Sequence, residues 1–211
     1  MTMYRAIETV YGGYRFRSRL EARWAVFFDA VGLDWDYEKE GFILGDGTKY
    51  LPDFWIPSLK LWVEIKDELN FIEYTLPEGS SFALPKIERL YHCPELNLMR
   101  KFRDSQQWPV ACIAGQPGKQ KIWFFAWDMS DDSAGEYEND NASWCIANGH
   151  VTLNVNINSP GREIYADSCY GSVLEHFTYA RDHKYIVTPI EEALKKARQA
   201  RFEHGEKPEV R

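Results

Sequence analysis

Apolar residues recur at two different periods along this chain. Leu20, Trp24, Phe27, Phe28 and Val31 fall at helical spacing. That stripe predicts a helix over 18–31, stopped by Gly32. Further on, Leu59, Leu61, Val63 and Ile65 alternate with Lys60, Trp62, Glu64 and Lys66. A period of two predicts a strand over 59–66 with one buried face. Strands over 35–44 and 48–56 are expected to join at Gly45-Asp46-Gly47, a strong hairpin signal. Residues 67–84 read as irregular, with Pro77–Ser81 as a loop. Helices are expected near 85–92 and 95–104, Pro85 and Pro94 opening them. Strands at 110–114 and 122–127 flank the turn Gln116-Pro117-Gly118-Lys119. The acidic, polar tract 128–141 reads as a surface loop. Trp144–Ala147 and Val151–Ile157 form a further hairpin around Asn148-Gly149. Helices follow near 171–182 and 189–204, the last with Thr188 as N-cap, Pro189 in its first turn and Glu191 completing a capping box.

This order predicts an α/β or α+β fold: a central mixed sheet with flanking helices, an additional β-hairpin and C-terminal helices. A chain of 211 residues with 45% apolar content can bury a full core, so one domain over 1–211 is expected. No apolar run reaches the length of a membrane span, and the N-terminus carries no signal peptide, so a cytoplasmic protein without a membrane partner is expected. Cys93, Cys112, Cys145 and Cys169 form no Cys-x-x-Cys pair and read as reduced, mostly buried thiols. The net charge of −7 argues against an unspecific nucleic-acid binder, but its distribution is uneven. Arg5, Arg15, Arg17, Arg19 and Arg23 crowd the beginning, so a local basic surface can coexist with an acidic total.

The chemistry concentrates at Leu51-Pro52-Asp53-Phe54 and Val63-Glu64-Ile65-Lys66. Glu64 and Lys66 project from one face of the strand. Asp53 is separated from them by the turn at Pro57-Ser58, so two carboxylates and an ammonium can meet at one spot. Carboxylate oxygens suit a hard cation such as Mg²⁺. A neighbouring lysine can orient water and offset charge growing on a phosphorus centre. Asp and Pro both disfavour strand interiors, so Pro52-Asp53 either ends a strand or serves a function. Glu21 has two readings. Ser18-Arg19-Leu20-Glu21 fits a capping box, with Glu21 reaching back to the Ser18 amide. Glu21 also lies beside the apolar stripe, where it can reach inward at the sheet edge. Trp62 shares the Glu64 face and is expected to flank the site. His92, His150, His176, His183 and His204 are scattered and receive no role. Nothing local supports a Cys169–His176 nucleophile pair.

Pro52-Asp53 followed by Glu64-Ile65-Lys66 resembles the signature of the PD-(D/E)xK nuclease superfamily. Tyr14-Arg15-Phe16-Arg17-Ser18-Arg19-Leu20-Glu21-Ala22-Arg23-Trp24-Ala25 resembles the first helix of small nucleases of this group found in phages and prophages, and Ala200–Glu206 resembles their ending. The likeness covers 11–66 well and the C-terminal helix fairly; residues 67–185 carry no matching motif. It implies a restriction-endonuclease-like core and Mg²⁺- or Mn²⁺-dependent hydrolysis of DNA phosphodiester bonds. Asp53, Glu64 and the Ile65 carbonyl would hold the metal, with Glu21 bound directly or through water. Lys66 would position or help deprotonate the attacking water. Arg15, Arg17 and Arg19 would hold the phosphate backbone. A structure-selective role in replication, recombination or repair fits this class. The partners implied are DNA, a second copy of the chain and a phage or host replication or repair protein. The alternative is a nuclease-fold protein of little or no activity that binds DNA or protein as an accessory factor.

Overall fold

In the computed structural model, residues 7–71, 93–128, 135–139, 142–147, 150–154 and 188–202 are described. The chain opens with a small hairpin, β1 (Thr9–Tyr11) and β2 (Tyr14–Phe16), which leads into helix α1 (Arg19–Ala30). The Ser18 hydroxyl caps α1 by accepting from the Glu21 amide at 3.2 Å. At the other end Gly32, at φ +73°, takes the left-handed conformation of a Schellman stop. The Leu33 amide donates to Phe28 and the Gly32 amide to Asp29.

A six-stranded sheet forms the centre, in the order β10-β9-β8-β7-β6-β3. Its members are β3 (Asp36–Tyr37), β6 (Phe54–Ile56), β7 (Leu61–Lys66), β8 (Val110–Ala114), β9 (Lys121–Asp128) and β10 (Gly135–Asn139). Only β7 and β8 run parallel; the other neighbours are antiparallel. A parallel pair needs a crossover, and helix α2 (Pro94–Ser105), with Pro94 in its first turn, lies on the connection. Its Leu96, Met99 and Phe102 bury against Trp62, Val110, Cys112 and Phe125 on one face. The opposite face supplies Phe54, Val63, Ile65, Ala111 and Phe124 to a core shared with α1 and the late helix α3 (Thr188–Gln199). A separate hairpin, β11 (Ser143–Ala147) and β12 (His150–Asn154), joins that core through Trp144 and Leu153. The fold is thus a mixed sheet with helices on both faces. Among the described residues no helix is long and apolar enough to cross a membrane.

Four expectations change. The long hairpin over 35–56 is broken in two: β3 pairs with β6, while β4 (Phe42–Ile43) and β5 (Lys49–Tyr50) form their own ribbon. Four residues between Tyr37 and Phe42 oppose three between Tyr50 and Phe54, so the ladders are out of step by one. The extra residue is absorbed at Glu38, whose φ of +47° leaves the strand region, and Pro52 has no amide to offer. The expected loop at 128–141 contains strand β10, paired along β9 from Phe124 to Asp128. Among the described residues β10 is the last strand of the sheet, a position where charged residues are common. Strand β7 is buried on both faces rather than one: α2 covers the Trp62 side, and Trp62 is 2% exposed. Helix α3 ends at Gln199, short of 204. The helices expected at 85–92 and 171–182, Pro77–Ser81, Cys169, and four of the histidines lie outside the described residues; His150 is exposed on β12. Cys93, Cys112 and Cys145 are buried.

Candidate active site

Strand β6 stops pairing with β7 at Phe54, opposite Val63. The next inward amide of β7, at Ile65, would be left without a ladder partner. The Asp53 carboxylate takes it: Oδ2 accepts from the Ile65 amide at 2.7 Å. This charge-assisted bond fixes Asp53 at the point where the sheet opens. In an extended strand the N–H and C=O of one residue face the same neighbour, so the Ile65 carbonyl is directed to this side as well. Asp53 is 3% exposed. Its other oxygen, Oδ1, accepts from the Arg17 guanidinium at 2.7 Å.

Glu64, 4% exposed, lies one residue before that amide on the α2 face. Its Oε1 accepts from the Lys66 ammonium and its Oε2 from the Tyr50 hydroxyl, both at 2.5 Å. Cys112 stands beside Glu64 in the parallel register of β7 and β8. Burial and then Glu64 push this thiol up, so it stays protonated. Burial lowers the Lys66 ammonium, but Glu64 more than reverses this, and the lysine stays charged.

Glu21 comes from the first turn of α1 and is also buried. Its Oε1 accepts from the Ser18 hydroxyl at 2.7 Å. Its Oε2 accepts from the Tyr37 hydroxyl at 2.6 Å and from the Arg17 amide at 3.1 Å. The capping-box expectation is therefore half met. The Ser18 cap is present, but Glu21 reaches the Arg17 amide rather than that of Ser18. This orientation brings Glu21 near Asp53, whose carboxyl is held well above the ordinary range by burial, then by Glu64, then by Glu21.

The structure thus gathers Asp53, Glu64, Lys66, Glu21, Ile65 and Arg17. It places Arg15 elsewhere, exposed on β2 in an ion pair with Glu8. Arg19 is half-buried in the first turn of α1. Trp62 does not flank the site as an exposed ring; it packs among Phe42, Trp55 and Phe102 in the core beneath Glu64. Three contributors were missed by sequence reasoning: Tyr37, Tyr50 and Glu38. Glu38 Oε1 accepts from Arg17 Nε at 2.7 Å. The tyrosines read as ordinary strand aromatics, and nothing in their spacing marks a hydroxyl aimed at a carboxylate.

Among the described residues, no three His, Cys, Asp or Glu side chains stand in an arrangement that could hold a metal ion. Each oxygen of Asp53, Glu64 and Glu21 already accepts a hydrogen bond. The donor chemistry nevertheless fits a hard cation: three buried carboxylates converge, Asp53 pairs with Arg17 and Glu64 with Lys66, and Asp53 registers the concentration of negative charge. Both cations end long, partly exposed side chains, 55% for Arg17 and 31% for Lys66, which can withdraw without disturbing the core. Neither a protein-family model, a curated protein nor a solved structure matches this chain.

Proposed function

We propose that this chain is a metal-dependent nuclease that hydrolyses DNA phosphodiester bonds on a restriction-endonuclease-like core. The observation that carries the reading is the convergence of three buried carboxylates, Asp53, Glu64 and Glu21, with Lys66 paired to Glu64. Burying like charges together is costly, and a stable fold has no structural use for it. Asp53, Glu64 and the Ile65 carbonyl would hold Mg²⁺ or Mn²⁺, and Glu21 would complete the set directly or through water. A bound divalent cation supplies Lewis-acid activation of a phosphate and a water that ionises near neutral pH. Lys66 orients the attacking water and offsets charge growing on the phosphate. Arg17, already at the site, would meet the phosphate, and Arg15 on β2 and Arg19 on α1 would contact the backbone farther along.

A second reading is an accessory protein of this fold that binds DNA or protein without cutting. It is favoured by one observation: each oxygen of the three carboxylates accepts a hydrogen bond from the chain's own groups. One experiment separates the two. Labelled single-stranded, duplex, nicked and branched DNA are incubated with the protein in Mn²⁺ or in excess EDTA. Cleavage is expected in Mn²⁺ alone and is lost in Asp53→Asn, with the far-UV spectrum unchanged. Cutting in EDTA, or by Asp53→Asn at the wild-type rate, rules out the nuclease mechanism. No cutting of any form, with DNA still bound, favours the accessory reading.

A further inference from the structure

Arg17 is held at three points. Its backbone amide donates to Glu21 Oε2 and to the Tyr37 hydroxyl, each at 3.1 Å. Its Nη2 donates to Asp53 Oδ1 and its Nε to Glu38 Oε1, each at 2.7 Å. The backbone is therefore anchored in the site while the guanidinium lies over Asp53 from the solvent side, 55% exposed. Glu38 is equally unusual. Its φ of +47° is a region that favours glycine, yet it carries a long side chain. Its own amide donates to the Asp53 carbonyl at 2.9 Å. Glu38 is thus tied to Asp53 through the main chain and to Arg17 through its carboxylate. A glycine would suit that backbone better, and the side chain's ion pair with Arg17 explains why a glutamate stands there.

We propose that Arg17 and Glu38 form a built-in counter-ion clamp on Asp53, which a divalent cation must displace to enter the site. The inference rests on the metal-dependent reading above. A guanidinium cannot deprotonate, so loss of its own proton cannot release it from Asp53, whereas exchange for another cation can. Arg17 and the incoming cation compete for the same oxygen, Asp53 Oδ1. Glu38 acts on the other side of the balance. It holds the guanidinium through Nε, keeps it tethered once displaced, and adds a fourth carboxylate to the local field. Arg17 is then available to an anion only after the cation has arrived, which couples cation binding to polyanion binding. Glu38 is a positioning residue in this scheme, acting through Arg17.

The two partners carry opposite signs, and this makes the clamp testable by Mn²⁺ binding without any turnover. Calorimetric titration with Mn²⁺ alone would compare wild type, Arg17→Ala and Glu38→Gln, each checked for fold by far-UV circular dichroism. Arg17→Ala should bind Mn²⁺ at least about fivefold more tightly, and Glu38→Gln at least about fivefold more weakly, the lower end of typical coupling between sites. A purely structural ion pair would give equal or weaker binding in Arg17→Ala. That result overturns the clamp while leaving the nuclease reading intact. Binding in neither wild type nor Arg17→Ala removes the metal reading and the clamp with it. Binding detectable only in Arg17→Ala supports the clamp. Should Arg17→Ala not fold, Glu38→Gln decides alone: Mn²⁺ affinity equal to or above wild type refutes the proposal.

Discussion

Glu21 serves two ends of one helix turn at once. Its amide donates to Ser18 Oγ, and its carboxylate accepts from the Ser18 hydroxyl, the Arg17 amide and Tyr37. Gln can keep that network: its carbonyl faces Arg17 and Tyr37, and its amide donates to Ser18 Oγ. Gln cannot keep the charge. Glu21→Gln should therefore change stability by less than about 1 kcal/mol, the range of mild substitutions. Cleavage should fall at least about tenfold, or ~1.4 kcal/mol of transition-state stabilisation. Ser18→Ala is the converse control, expected to lose about 1 kcal/mol of stability while retaining most activity. If thermal melts and cleavage rates show Glu21→Gln cutting like wild type, Glu21 has only its capping role. At this scale the sequence was legible for which groups come together, as with Asp53, Glu64 and Lys66, whose type and spacing mark them. It was silent on Tyr37, Tyr50 and Glu38. Their roles depend on hydroxyl direction and on one mismatched residue between two ladders, which no periodicity records.

At the scale of elements, legibility followed the strength of the local signal. Helix α1 has a stripe, a cap and a glycine stop, and its bounds fell where these placed them. Strands β8 and β9 are apolar runs around a Pro-Gly turn, and they formed as read. Strand β10 was illegible because its acidic residues mimic a loop, and an edge position overrides propensity. The turn between β6 and β7 shows another such override. After the short 3-10 turn Pro57–Leu59, Lys60 adopts φ +47° and its amide donates to the Pro57 carbonyl at 3.1 Å. Its ammonium sits 5.2 Å from the Trp108 ring centre. Lys60→Gly relieves a left-handed side chain worth roughly 1–2 kcal/mol. It also loses a cation–π contact of about 0.5–1 kcal/mol and adds unfolded-chain freedom of similar size. The net change should be close to zero. Lys60→Val forces a β-branched residue into the same conformation and should be less stable than Lys60→Gly by at least about 1 kcal/mol. Urea unfolding of the two variants checks this. Equal midpoints would show that the turn relaxes out of the left-handed region. Mn²⁺ affinity should not change in either, since Lys60 and Lys66 lie at opposite ends of β7.

For the whole molecule, the sheet is a common wall between two cores. Alternate residues of the same strands enter opposite clusters: Phe54 and Ile56 against Trp55, Val63 and Ile65 against Trp62, Ala111 and Ile113 against Cys112, Phe124 against Phe125. Neither core can open without loosening strands that hold the other. The site shares this dependence, because Asp53 hangs on the β7 ladder and Glu64 is braced by Tyr50 from the α2 side. The described parts should therefore unfold as one cooperative unit. Phe28→Ala removes a fully buried ring of the α1 core, packed on Trp24, Phe54 and Trp144. Phe102→Ala does the same on the α2 side, beside Phe42, Tyr50 and Trp62. Each should cost about 3–5 kcal/mol. Both should lower the same single transition, with tryptophan fluorescence and far-UV circular dichroism coinciding. Mn²⁺ should raise that one transition by mass action, since it would bind only the folded site. Two separated transitions, each moved by only one substitution, would show that the cores melt independently and that the sheet does not couple them to the site.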